Sequence, residues 1–355
     1  MQVIRVRENH ARRAIDRCNR GVHRSIRAFF SRIAPAVILF FLAPFVAEYL
    51  LGDLPITMLS SLVVLAPMYG GGALLIREII RRTGRGWPGM IVLALAYGVL
   101  EEGITTQSLF NPNYLNAHLL DYGFVPSLGI AIPWTIFVLT IHAVWSISVP
   151  IALVEVLFSR RRLTPWLGRP GLAITCILFA VGIIATTAIT LSTDAFIAPL
   201  PQLVGAGVAI IALIIAAFSL KPTQHRSLDA GTRPVPNAWF VGTFALIASS
   251  IFMLIPHISA WWIPVILYTI LGIVAIAVIR SWSRRRGWDD WHRLALAGGA
   301  LLTYAWHGFP QPSVFLGNST IDLIGNAIFA AVAVILIIVA ARKLQLAGRE
   351  AALPE

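Results

Sequence analysis

Apolar runs of span length recur along the whole chain, separated by short polar breaks, without the sustained alternation of a strand. A helix crossing a bilayer needs roughly 20 mostly apolar residues. Such stretches stand at about 33–51, 55–80, 87–110, 131–158, 170–192, 198–220, 238–255, 259–280, 291–308 and 321–341. The pattern predicts an all-α, polytopic integral membrane protein with about ten transmembrane helices. Two spans carry residues that disturb a helix. The second holds Pro67-Met-Tyr-Gly-Gly-Gly72 near its middle. That stretch is either close packing of small residues or an unwound segment lining a cavity. The fourth holds Pro150 in its interior, whose ring is expected to clash with the Ser146 carbonyl and kink the helix one turn from His142.

Charge tests the span count. The chain has 28 Lys and Arg against 16 Asp and Glu, a net charge of +12. Every Lys and Arg falls at or near alternate span ends: 1–32, 77–85, 159–169, 221–237, 280–293 and 342–355. The opposite breaks hold none, but they hold Asp53, Asp121 and Asp194. Basic residues flank spans on the cytoplasmic side, so both termini are read as cytoplasmic and the protein as multi-pass in the plasma membrane. The charge is thereby explained by the lipid bilayer as partner, with no nucleic acid. Residues 1–32, with nine Arg, form a cytoplasmic N-terminal segment. There Ile15, Val22, Ile26 and Phe29 suggest a helix lying on an anionic leaflet, against the plainer reading of a disordered anchor. Residues 33–341 form the membrane domain, with a polar linker at 221–237, and 342–355 a cytoplasmic tail. Cys18 and Cys176 are placed to form neither a disulfide nor a metal motif.

Against 57% hydrophobic and 12% charged residues, ionisable groups inside spans stand out, because carboxylates at membrane depth are costly and usually face a partner or a water-filled cavity. Glu101 and Glu102 lie side by side in the third span. Glu48, His142, His307 and Asp322 fall at similar depth, nearer the acidic end. Adjacent residues diverge by about 100° around a helix, so two glutamates cannot address one atom without local distortion. Glu101 shares the more polar face, with Tyr97, Thr105 and Ser108, and is expected to face the site while Glu102 is held elsewhere. His142 is the expected partner of the pair, and His307 an optional third member. Glu48 is either a ligand or a tie between helices. Glu155 is expected to pair with Arg160 to Arg162, and Arg77 with Glu78, Arg81 and Arg82. Trp87, Trp134, Trp239, Trp261 and Trp262 read as interface anchors. Asn111 reads as a turn residue or as part of a cavity mouth. Asn318-Ser-Thr320 matches a glycosylation sequon.

A basic stretch (Arg81 to Trp87), a span carrying Leu100-Glu101-Glu102-Gly103, and a later span with an intramembrane His142 resemble the CAAX-prenyl-protease and bacteriocin-processing (CPBP) family of intramembrane proteases. The resemblance implies a glutamate and histidines that activate water for peptide hydrolysis inside the bilayer. The chain departs from the family's EExxxR, FxxxH and HxxxN motifs. Thr106 stands at the arginine position, Phe137 lies five residues before His142, and Gln311 follows His307 where Asn is expected.

Three functions follow. The first is a CPBP-like intramembrane hydrolase or pseudo-enzyme, with Glu101 or Glu102 as general base, His142 as partner and His307 as the third residue. The second is a proton-coupled transporter using the same glutamates. The third is a non-catalytic scaffold in which the acids tie helices together. A peptide or small molecule is the expected substrate, its identity open. The cofactor is unknown. Zinc would require Glu48, the second glutamate or His307 as a further ligand.

Overall fold

The computed structural model describes residues 32–222, 231–258, 262–315, 317 and 319–351. The N-terminal surface helix, Cys18, residues 223–230 of the linker, Trp261 and Asn318 lie outside the described residues.

Among the described residues, ten long helices follow one another: α1 Arg32–Leu50, α2 Ser61–Thr83, α3 Gly86–Thr105, α4 Ile132–Leu157, α5 Arg169–Thr193, α6 Leu200–Ser219, α7 Ala238–His257, α8 Ile263–Trp282, α9 Asp290–His307 and α10 Thr320–Ala351. All but α9 are long and apolar enough to cross a membrane. Helix α9 opens on Asp290, His292 and Arg293, which dilute its apolar character. Two short strand pairs, β1 Phe124–Val125 with β2 Ile130–Ala131 and β3 Gly231–Pro234 with β4 Arg285–Arg286, close surface turns.

Contacts between loops reproduce the alternation that the charges predict. At the basic end, Arg77 donates to the carbonyls of Arg162 and Thr164, each at 2.9 Å. There also Arg162 pairs with Asp290, and Arg160 with Glu350 at 2.7 Å. At the acidic end, Gln311 donates to Asp53 at 2.9 Å, Asn111 to Asp194 at 2.6 Å, and the Ala198 amide to Gln107 at 2.7 Å. Loops far apart in sequence therefore meet at the end that their charges assign.

Helices α2, α3 and α4 form the centre, with 61–67% of their apolar windows buried. In α5, α6 and α8 the share is 11%, so these helices present apolar side chains to lipid. A second packed layer joins α4, α7 and α9. Trp145 stacks on Tyr304 at 4.8 Å and donates to the Ala300 carbonyl at 2.8 Å, while Gly299 lies against the Gly242 and Leu246 backbone.

Helix α2 is continuous through Pro67 and the three glycines, which overturns the unwound reading. Side chains on the glycines would strike neighbours: the Phe40 backbone at Gly70, Phe179 at Gly71, and the Tyr97 ring at Gly72. The glycines let α1, α3 and α5 pack closely on α2. The expected partner of Glu155 also changes. Its carboxylate binds Arg77 at 3.2 Å and Arg81 at 2.5 Å on α2, because the fold brings that helix face to α4. Arg77 itself is fully buried, bonds Glu78 at 2.7 Å, and lies 3.4 Å above the Trp166 ring.

Candidate functional site

Helices α1, α3 and α4 each lose regular α geometry over a short stretch, and each stretch carries ionisable residues of the site. The π-helical segments are Phe45–Leu50, with Glu48; Glu101–Thr105, with the glutamate pair; and His142–Ser148. A π turn closes an i→i+5 hydrogen bond and inserts extra backbone, shifting the angular position of its side chains. Thr106 N donates to the Glu101 carbonyl at 2.8 Å in this pattern.

The extra backbone changes the expected division of labour between the glutamates. Both reach His142. Glu102 Oε1 lies 2.6 Å from Nε2, and Glu101 Oε2 lies 3.1 Å from Nδ1. The three residues are buried, with exposures of 1% for Glu101, 7% for Glu102 and 6% for His142. The expectation that one glutamate faces the site and the other is held elsewhere is corrected: the π turn supplies the distortion that a regular helix lacks.

Their partners differ in kind. Glu102 is saturated. Its Oε2 accepts from Thr106 Oγ1 at 3.0 Å and from Ser108 Oγ, and Oε1 meets His142. Gln107 makes the Ser108 contact possible. Its left-handed backbone (φ 57°) turns the chain back towards Glu102, a conformation uncommon outside glycine. Trp134 then donates to Ser108 Oγ at 3.3 Å, so this tryptophan supports the site as well as lying near a span end. Glu101 Oε2, by contrast, has no hydrogen bond of acceptable geometry. His142 Nδ1 also lies 3.1 Å from Ser146 Oγ.

Glu48 completes the surroundings. The Tyr69 hydroxyl donates to it, and the Tyr69 ring stacks on His142 at 6.2 Å. Tyr97 meets the same imidazole edge-on at 6.3 Å, and its buried hydroxyl lacks a partner. Among the described residues, no Lys or Arg pairs with Glu48, Glu101 or Glu102. One donor atom from each of Glu101, Glu102 and His142 lies within 4.8 Å of the other two, a spacing that can hold a metal ion.

His307 stands apart. It ends α9 against the Leu51 backbone and beside Trp306, and it does not belong to the three-residue group. Gln311 binds Asp53 rather than the glutamates. Burial pushes the Asp53 carboxyl up to about 6, against the lowering effect of that hydrogen bond. Phe137 stacks on Phe252 at 5.5 Å, away from the glutamates. Sequence reasoning missed Tyr69 and Ser146 as partners and placed Ser108 on the face of Glu101, whereas it bonds Glu102. The i, i+4 spacing of His142 and Ser146 was a readable signal, whereas Tyr69 and Ser108 arrive through tertiary packing and the turn at Gln107.

The model of an uncharacterized membrane protein family matches residues 37–352, which includes every residue of this site. No curated protein and no solved structure matches the chain.

Proposed function

We propose, from the premise that this chain belongs to the uncharacterized membrane protein family matched above, that it is an intramembrane hydrolase acting on a peptide bond through Glu101, Glu102 and His142. The observation that carries the reading is that two π-helical segments meet at one imidazole, with a third carrying Glu48 behind Tyr69. Such segments are rare and occur frequently at functional sites. Ties between helices do not require them.

The roles follow from the hydrogen bonds. Glu102, held by Thr106 and Ser108, orients His142. Glu101, whose free oxygen lies 3.1 Å from the ring, takes the proton of an attacking water as general base. The same carboxyl then returns that proton to the leaving amine, while His142 holds the glutamate pair in place. The resemblance to CPBP-type proteases supports peptide hydrolysis as the reaction, while Thr106 replaces that family's arginine and serves Glu102 instead. The transport alternative would use the same glutamates as proton carriers; its expected substrate site, a broken second span, is a continuous helix.

The test is turnover of quenched-fluorescent peptides carrying an apolar or lipidated C-terminal segment, with purified protein in liposomes. Glu101→Gln is expected to lower turnover by a factor of about 100 or more, the scale of a lost general base. Glu102→Gln lowers it less and shifts the pH profile. Cleavage that proceeds equally in wild type and both variants would sink the proposal.

A further inference from the structure

The pairing of His142 leaves one contact that does not reach hydrogen-bond geometry. With Nε2–H donating to Glu102 at 2.6 Å, Nδ1 carries a lone pair. That lone pair is 3.1 Å from Glu101 Oε2, an acceptor that is buried and has no hydrogen-bond partner. Two acceptors at this distance repel unless a cation lies between them, either the proton of an imidazolium, which makes the contact an ion pair, or a metal ion, and an uncompensated buried charge is costly. Two carboxylates, those of Glu101 and Glu102, contact this single imidazole and Glu48 stands behind Tyr69, without an arginine or lysine partner among the described residues.

We infer that Glu101 Oε2 and His142 Nδ1 bind a divalent transition-metal cation, with Glu102 as the carboxylate that fixes the histidine from behind. The inference rests on Glu101, Glu102 and His142 forming one chemical centre, as the proposed function does. Metal bonds to imidazole nitrogen and carboxylate oxygen are about 2.0–2.1 Å. Two such donors on a tetrahedral ion therefore stand about 3.3 Å apart, close to the spacing found. A metal-bound histidine characteristically donates its other ring N–H to a carboxylate, which sets its tautomer; the Nε2 to Glu102 contact has this form. Ser146 Oγ, which hydrogen-bonds Nδ1 at 3.1 Å in the metal-free geometry, and the Tyr97 hydroxyl beside Glu101 offer neutral oxygens nearby. Imidazole with carboxylate suits zinc, cobalt, manganese or iron better than magnesium or calcium. Bound there, the ion would supply Lewis-acid activation of a water in an open coordination position beside Glu101.

The test uses full-length protein in detergent, stripped with EDTA and desalted, then titrated with Zn²⁺ against a chromophoric chelator and, separately, with Co²⁺ followed by its visible absorption. The expected result is one ion per chain and a low-symmetry Co²⁺ spectrum. Glu102→Gln should weaken affinity by about 10–100-fold, as loss of an outer carboxylate does, and shift the Co²⁺ bands. Glu101→Gln and His142→Ala should weaken it more. Equal uptake by wild type and Glu101→Gln means an adventitious ion only and overturns the inference. Glu101→Gln is nearly isosteric, so it decides the matter if His142→Ala fails to fold. Hydrolysis by stripped protein that Zn²⁺ does not enhance, with no saturable site, would overturn the metal and leave the hydrolase. A saturable site without peptide cleavage would do the reverse.

Discussion

The difference between the two glutamates lies in what each is bonded to. Glu101 and Glu102 are neighbours in sequence, equally apolar in setting, and both within reach of His142. Yet Glu102 has its oxygens filled by Thr106, Ser108 and His142, and Glu101 keeps one unpartnered. That asymmetry makes Ser108 a support whose removal is measurable. Ser108→Ala deletes a buried hydrogen bond to a carboxylate and leaves the Trp134 indole without its acceptor. Hydrogen bonds to charged groups contribute about 1.5–3 kcal/mol, so the variant should melt several degrees below wild type in detergent. An unchanged melting curve would mean that Ser108 does not hold Glu102. The importance of Glu101, Glu102 and His142 was legible beforehand, because ionisable groups inside apolar runs are few and costly. The pattern of partners was not. It depends on an extra residue in the turn and on a left-handed Gln107, neither of which has a periodic signature.

Among the elements, the spans were readable from length and apolarity, and their alternation from the basic residues. Glycine in a span was ambiguous. Three glycines and a proline fit an unwound segment as well as close packing, and the choice rests on what stands opposite. Phe40 and Phe179, the residues facing Gly70 and Gly71, lie 30 or more positions away in sequence. Glu155 shows the same limit: the nearest arginines in sequence were expected, and arginines on another helix bind it. The packing role of the glycines yields a paired test. Gly70→Ala would drive a methyl group into the Phe40 backbone, which cannot rotate away. Overpacking of this kind costs about 1–3 kcal/mol. Gly205→Ala, on lipid-facing α6 with nothing within 4 Å, should be neutral or stabilise the helix by up to about 1 kcal/mol. Thermal melting of the two variants side by side separates packing from unwinding. Equal tolerance at both positions would count against the close contact between α1 and α2.

For the whole molecule, the two ends are fastened by different chemistry. At the basic end, buried Arg77 gathers Glu78, Glu155 and the carbonyls of the 161–164 loop. At the acidic end, Asp53 ties the end of α1 to the loop between α9 and α10. Its carboxylate accepts from Gln311, and its carbonyl accepts from the Val314 amide at 3.1 Å. Asp53 changes its charge within the ordinary pH range. Its carboxyl ordinarily ionises at 3.8, and burial raises it to about 6 in the folded protein. The folded state therefore holds this proton more tightly than the unfolded chain does. Linkage makes the resulting stability fully present below about pH 3.8 and lost as the pH rises through about 6. The melting midpoint of wild type should thus gain an extra downward slope between about pH 4 and pH 6.5, relative to Asp53→Asn. Asparagine keeps an oxygen for Gln311 and cannot titrate, so the comparison isolates one proton at one end of the bundle. The difference between the two curves should level off above about pH 7. Parallel curves throughout would show that Asp53 ionises as it does in the unfolded chain.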